Sequence, residues 1–223
     1  MKIKNNALFL RFLHIFVPLI INKLKMKKII LLLSVVFLST SALQAQDSKF
    51  YLGVGAGYAS AGGDLSDGYK GGIHINFLNM GYRFNESWGV TANLGSAGHS
   101  IDADADVAVG IGAFSVGPMY SMPVGSASWD FKPQYAFSMK GVVRGDDAAN
   151  SPFGNLEDLE QSGSGFILGN SFVFGDGGKG FSWSIDVDYL MGNFDEVSGP
   201  GGTAEVDEDY SSLRLGVGVR YNF

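Results

Sequence analysis

Only two histidines, His74 and His99, follow residue 45, and His99 directly precedes Ser100. A histidine beside a serine invites a hydrolase or acyltransferase reading, in which the imidazole activates the hydroxyl. That chemistry needs base and nucleophile within about 2.6–3.2 Å of each other. Neighbours on an extended chain point to opposite faces, so the adjacency of His99 and Ser100 does not supply the contact. A surface-loop role is expected for His99, and an inward-facing strand position for His74. No catalytic residues and no cofactor are assigned.

The carboxylates raise a second chemistry. Asp102, Asp104 and Asp106 alternate as D-A-D-A-D, and Asp207-Glu208-Asp209 form another cluster. Hard cations such as calcium take several carboxylate oxygens. The 102–106 run lacks the glycine and glutamate that complete an EF-hand loop. It stays a weak metal candidate beside the simpler reading of a solvated acidic rim. With no cysteine anywhere, a thiolate metal site and a disulfide framework are both out of reach.

A third group is charged at strand spacing. Asp130, Lys132 and Lys140, with Asp186, Asp188, Arg214 and Arg220, all fall on the polar parity of their segments. If that parity faces a narrow interior, these charges must pair, because an unpaired buried charge is strongly unfavourable. The expectation is a structural plug of ion pairs. A selectivity filter would need a continuous water path, which eight strands rarely leave.

The elements that carry these residues are alternating strands. Leu213, Leu215, Val217, Val219, Tyr221 and Phe223 alternate with Arg214, Gly216, Gly218, Arg220 and Asn222. The same two-residue period runs through 50–58, 88–95, 129–140 and 181–192, and further segments at about 71–84, 105–124 and 163–174 bring the set to eight. In 129–140 the outward set runs Trp129, Phe131, Pro133, Tyr135, Phe137, Met139. Parity slips near Phe77-Leu78 and near Ala113-Phe114, where bulges or register changes are expected. Eight strands leave room only for filling side chains. Glycine and charge therefore fit the inside, and the bulky apolar set fits lipid.

Connections alternate in length. Short turns (Asn85–Ser87, Gly125–Ser128, Gly175–Gly180) face long loops at about 60–70, 96–104, 142–162 and 193–209. Short turns on one side and long loops on the other are the habit of outer-membrane barrels. The long loops, with Asp106 at the edge of the second, hold 16 of the 22 acids. Trp88, Trp129 and Trp183 each begin a strand just after a short turn, and Tyr82 and Phe84 end one at the same level. These five read as an interfacial girdle.

The N-terminal region belongs to export. Lys27-Lys28, the apolar run Ile29–Leu38 and the small residues ending at Ala45 have the order of a signal peptide over 26–45, too short an apolar run to span a bilayer as a helix. Residues 1–25 are expected to be an upstream extension from a mis-assigned start, and 46–223 to be the barrel domain. The first 45 residues hold seven of the 16 Lys and Arg and no acid, so the remainder carries nine basic and 22 acidic residues, a net of −13. That charge argues against nucleic-acid binding, whose footprint is basic.

With these features in place, the chain resembles the small, porin-like outer-membrane β-barrel proteins of Gram-negative bacteria. The segment Met80-Gly81-Tyr82-Arg83-Phe84-Asn85 leading into Trp88-Gly89-Val90, and the ending Val219-Arg220-Tyr221-Asn222-Phe223, carry the resemblance. It implies an all-β fold, an eight-stranded antiparallel up-and-down transmembrane barrel in the bacterial outer membrane. It also implies that Tyr221 and Phe223 act as the signal to the barrel-assembly machinery, with periplasmic chaperones and outer-membrane lipids as partners. A monomer is expected, with no C-terminal peptidoglycan-binding domain. The functional expectation is a structural or surface-interaction barrel with acidic extracellular loops, a filled polar lumen and an unidentified extracellular ligand. A narrow channel comes second and a lipid-modifying enzyme third.

Overall fold

The computed structural model describes residues 49–64, 69–100, 107–145, 159–175, 178–199 and 201–223. The expected extension and signal peptide, and the candidate Asp102, Asp104 and Asp106, lie outside these residues. Eight long strands follow one another: β1 (Phe50–Ala59), β2 (Gly72–Arg83), β3 (Trp88–Ser100), β4 (Val107–Val124), β5 (Ala127–Gly145), β6 (Glu160–Phe174), β7 (Gly180–Gly199) and β8 (Gly202–Asn222). Each pairs antiparallel with the next, and β1 pairs with β8, so the sheet closes on itself. A two-residue strand, Gly62–Gly63, adds to β8 beside Tyr210 and Ser211. Closure satisfies the edge groups of the first and last strands, which is what lets a sheet sit in hydrocarbon.

The local causes of the short turns are plain. Asn85 Oδ1 accepts hydrogen bonds from the backbone N–H groups of Ser87 (2.9 Å) and Trp88 (2.8 Å), closing the β2–β3 turn. At the β4–β5 turn Gly125 adopts a φ of +62°, a left-handed conformation that favours glycine. On the other side the strands run on. β7 and β8 have 20 and 21 residues, where a tilted strand needs only about 9–11 to cross a bilayer. The expected loop at 193–209 is therefore mostly a hairpin turning between Gly199 and Gly202. The expected loop at 96–104 likewise gives up its first residues to β3, and that at 142–162 gives residues to β5 and β6.

The sheet is inside out relative to a water-soluble barrel. Val54, Phe137, Phe166, Trp183 and Val217 are more than half exposed, while Asp130, Lys132, Arg214 and Arg220 are buried.

Two expected irregularities resolve differently. At Phe77 the β2–β3 register shifts between Asn76 and Leu78, so inward positions pass from His74 and Asn76 to Asn79 and Gly81. At Ala113-Phe114 the expected register change is present, between Phe114 and Ser115 of the β4–β5 ladder, but the parity of β4 itself does not slip: Val109, Ile111, Ala113, Ser115, Met119 and Ser121 are all buried on one face. The apparent slip reflects an interior that turns apolar there. The inserted residue is Phe137 on β5, where Phe114 pairs with Ser138 but Ser115 pairs with Ala136.

That bulge corrects two assignments. Beyond Phe137 the faces of β5 exchange, so Met139, expected on the outer face, is fully buried. Lys140, expected among the lumen charges, has a side chain 42 % exposed and ion-pairs with Glu160.

Candidate functional site: a filled interior in three layers

The layer nearest the short turns is built on Asp130, which β5 turns fully inward. Arg220 Nη1 on β8 donates to its Oδ2 at 2.7 Å, and Arg83 Nη2 at the end of β2 donates to its Oδ1 at 3.4 Å. The Arg220 guanidinium also lies over the Tyr51 ring, 4.5 Å from its centroid, a favourable place for a cation. Tyr51 Oη in turn meets Thr91 Oγ1 at 3.2 Å and donates to Met119 Sδ at 3.5 Å. Strands β1, β2, β3, β4, β5 and β8 thus all reach one cross-section.

The middle layer continues the charges. Lys132 Nζ donates to Ser171 Oγ and lies 4.0 Å from Asp186 Oδ1. Ser171 and Ser184 both donate to Asp186. Gln134 Oε1 accepts from Asn93 Nδ2 at 2.6 Å and Ser115 Oγ at 2.7 Å. Beside them His74, Asn76, Asp186, Asp188 and Arg214 line a cavity of about 10 Å³ with Gly55 and Gly216, room for about one water.

Toward the long connections the interior becomes apolar. Val109, Ile111, Ala113, Ala136, Met139, Ile167, Leu190, Phe194 and Tyr210 form one buried cluster, with Tyr69 and Val206 packed against it. His99 caps this layer at the end of β3. It was expected in a loop on the surface, yet it is 1 % exposed. One ring nitrogen meets Tyr210 Oη at 2.9 Å and the other the Lys70 carbonyl at 3.1 Å, while Tyr69 stacks alongside with ring centroids 6.3 Å apart. Burial, then the nearby Glu208 and Tyr210, push the Tyr69 phenol pKa above its usual value. His99 is thus engaged by Tyr210 and a backbone carbonyl, not by Ser100.

Of the expected interior charges, Asp130, Lys132, Asp186, Asp188, Arg214 and Arg220 face inward, and Lys140 does not. Arg83 was not among the expected interior charges, although the parity slip expected near Phe77-Leu78 turns it inward. Tyr51, which sits among glycines, was not singled out either. Trp88 and Trp183 are 54 % and 53 % exposed. Trp129 donates through Nε1 to Asn170 Oδ1 at 3.1 Å on the outer face. Tyr82 and Phe84 pack edge-on, ring centroids 5.7 Å apart. At the end of β8, Phe223 packs on Phe50 (5.4 Å) and on Tyr221 (5.0 Å), and its N–H donates to the Phe50 carbonyl at 3.0 Å. Among the described residues no group of three or more histidines and carboxylates converges as a metal would require.

Several solved structures are similar to this chain. Neisserial surface protein A, at 15 % identity, aligns over 80 % of this chain and 99 % of its own with a TM-score of 0.50. The attachment invasion locus protein Ail of Yersinia pestis, at 17 % identity, aligns over 79 % of this chain and 100 % of its own with a TM-score of 0.45. The outer membrane protease OmpT of Escherichia coli, at 7 % identity, covers 81 % of this chain and 99 % of its own with a TM-score of 0.43. No curated protein sequence matches the chain. The family of outer membrane protein β-barrel domains matches residues 30–223. A closed, inside-out antiparallel barrel and a family match over most of its length lead to one conclusion: the chain belongs to the outer membrane protein β-barrel domain family of the bacterial outer membrane.

Proposed function

We propose that the protein is a surface-interaction barrel, a non-conducting cylinder whose acidic extensions meet partners outside the cell. The observation that carries this is the stacking of an ion-paired layer around Asp130 beneath an apolar layer around Met139 and Phe194. Ions crossing the interior would have to break buried charge pairs and then cross a dry stretch. The β7–β8 hairpin brings Asp195, Glu196, Glu205 and Asp207 into solvent, and a basic ligand surface is the complement of such a rim.

In this reading the protein is a non-enzymatic monomer exported by a cleaved signal peptide over residues 26–45. Trp88, Trp129, Trp183, Tyr82 and Phe84 anchor the periplasmic interface, and Tyr221 and Phe223 present the assembly signal. The test is conductance in planar bilayers, run together with binding of cells bearing the barrel to a polycationic surface. The expected result is no unitary current, with binding that falls when Glu196, Glu205 and Asp207 become Gln, Gln and Asn. A steady ohmic channel would instead favour the narrow-channel reading.

A further inference from the structure

Asp188 on β7 lies directly opposite Arg214 on β8 in the ladder, and both side chains point inward. Opposite charges so placed would be expected to pair. They do not: the ion pairs among the described residues include neither side chain. Arg214 Nε and Nη2 and Asp188 Oδ1 are all buried, and none of the three has a hydrogen-bond partner among the described residues. Leaving charged donors and acceptors buried and unmet is costly.

The two unmet groups line one cavity of about 10 Å³, walled also by Gly55 of β1 and by His74 and Asn76 of β2. The closing seam makes this room. Where β1 docks on β8, Gly55 lies opposite Gly218 and Gly57 opposite Gly216, so no side chain from either strand fills the space. Asn76 is held across the Phe77 bulge, its amide nitrogen donating to the carbonyls of Leu78 at 2.8 Å and Leu94 at 3.2 Å. Its oxygen is the end left to accept.

Charge decides what can sit there. Lys132 and Arg214 balance Asp186 and Asp188, with Lys132 4.0 Å from Asp186. An anion in the cavity would face Asp186 and Asp188, and a cation would face Arg214. The occupant must therefore be neutral. It must also accept from a guanidinium, donate to a carboxylate and be no larger than one non-hydrogen atom. Buried waters fit such places, each making about three hydrogen bonds to groups that otherwise have none.

We propose that this cavity is a binding site for one resident water, which accepts from Arg214, donates to Asp188 and takes its third bond from His74 or Asn76. The water is the partner that lets the two opposed charges stand apart. It joins β7 and β8 to β2 behind the closing seam, and the site exists only once β1 has met β8.

A high-resolution crystal structure of the full barrel, grown in bromide, tests the occupant. One ordered water touching Arg214 Nε or Nη2 and Asp188 Oδ1 is expected. Direct contact between the two side chains, an empty cavity, or a bromide found there by its anomalous signal overturns the site. Stability supplies an independent measurement. Gly55→Ala and Gly55→Ser add the same β-carbon, which would fall 3.1 Å from the Val217 carbonyl oxygen, so they share that strain and differ by a hydroxyl. Alanine displaces the water without replacing its bonds, whereas serine puts an oxygen in its place. The folding equilibrium constant from urea unfolding in lipid vesicles should be about tenfold lower for Gly55→Ala than for Gly55→Ser. Equal values for the two overturn the site. Should neither variant fold, the wild-type crystal decides alone.

Discussion

Arg220 and Asp130 come from strands that are not neighbours in the ring, β8 and β5, yet their side chains meet across the interior at 2.7 Å. Asp130 is fully buried and also holds Arg83 at 3.4 Å. Removing one partner of such a buried group strands the others. Asp130→Ala should therefore destabilise the barrel by about 3–5 kcal/mol. Arg83→Gln should cost less, since its side chain is 17 % exposed and its contact longer. Urea unfolding in lipid vesicles, followed by tryptophan fluorescence, measures both.

The outer face gives a depth-dependent prediction. Val187 and Trp183 share the outward parity of β7, and Trp183 lies nearer the short-turn rim. Val187→Arg should cost about 2–4 kcal/mol and Trp183→Arg about 0–1 kcal/mol from depth alone. Equal costs at the two positions would contradict the placement of the hydrocarbon band. Quenching by lipids brominated at defined depths, with single tryptophans at 183 and 187, checks the same point independently.

His99 and Tyr210 offer a buried polar test. Tyr210→Phe keeps the ring in the apolar layer but leaves a ring nitrogen of His99 without its partner, at a cost of about 1–3 kcal/mol. Pairing His99→Phe with Tyr210→Phe removes both polar groups and should recover part of that loss. A double variant as unstable as the sum of the singles would show that the pair acts through packing alone.

Phe223 joins the end of β8 to the start of β1. Phe223→Ala should lower the amount of folded barrel recovered in outer-membrane fractions. The folded protein should also migrate differently on gels before and after boiling, as a closed sheet without edges resists detergent. Unchanged membrane levels of the variant would remove the role proposed for this residue.

For the acidic segment at 102–106, the solvated-rim reading expects no saturable stabilisation by calcium. Asp102→Asn, Asp104→Asn and Asp106→Asn together should leave the unfolding midpoint in calcium where it is without it. A calcium-dependent midpoint in the wild-type protein, lost in the triple variant, would establish a site there.

How far the sequence could be read follows from what alternation reports. In β1, β3, β7 and β8 one face is uniformly apolar over the membrane span, and the strands, their direction and the inside-out sense can be read off directly. Where one residue is inserted, the same signal misleads. Lys140 keeps an even number after Phe137 but stands on the opposite face from Lys132, and no local residue type announces the change. Arg83 is a different case: the slip near Phe77-Leu78 is visible in the sequence and turns Arg83 inward, yet it was not placed among the interior charges. His99 posed a different problem: a polar residue beside a long connection looks like loop, and only Tyr210, 111 positions later, makes its burial intelligible. The apolar layer was disguised because Val109, Ile111 and Ala113 face in while Phe114 and Val116 face out, leaving no polar face to set the phase.

The ladder between β1 and β8 joins residues 51–59 to residues 214–222, the widest separation along the chain of any pairing in the ring. Gly53, Gly55 and Gly57 stand on one side of it and Gly216 and Gly218 on the other, so few inward side chains interlock to set its register. Closing a long stretch of chain carries an entropic cost that grows with its length, and topologies dominated by such distant pairings are slow to form. Assembly of this protein therefore has a natural last step. The eight strands can zip as seven successive hairpins, each guided by the one before, while the cylinder waits for its two ends to find each other. Phe50, Tyr51, Arg220 and Phe223 act at that moment as the clasp, supplying the directional contacts the glycines leave out. A cell that must fold this chain in its membrane faces a problem of bringing two ends together, more than one of forming strands.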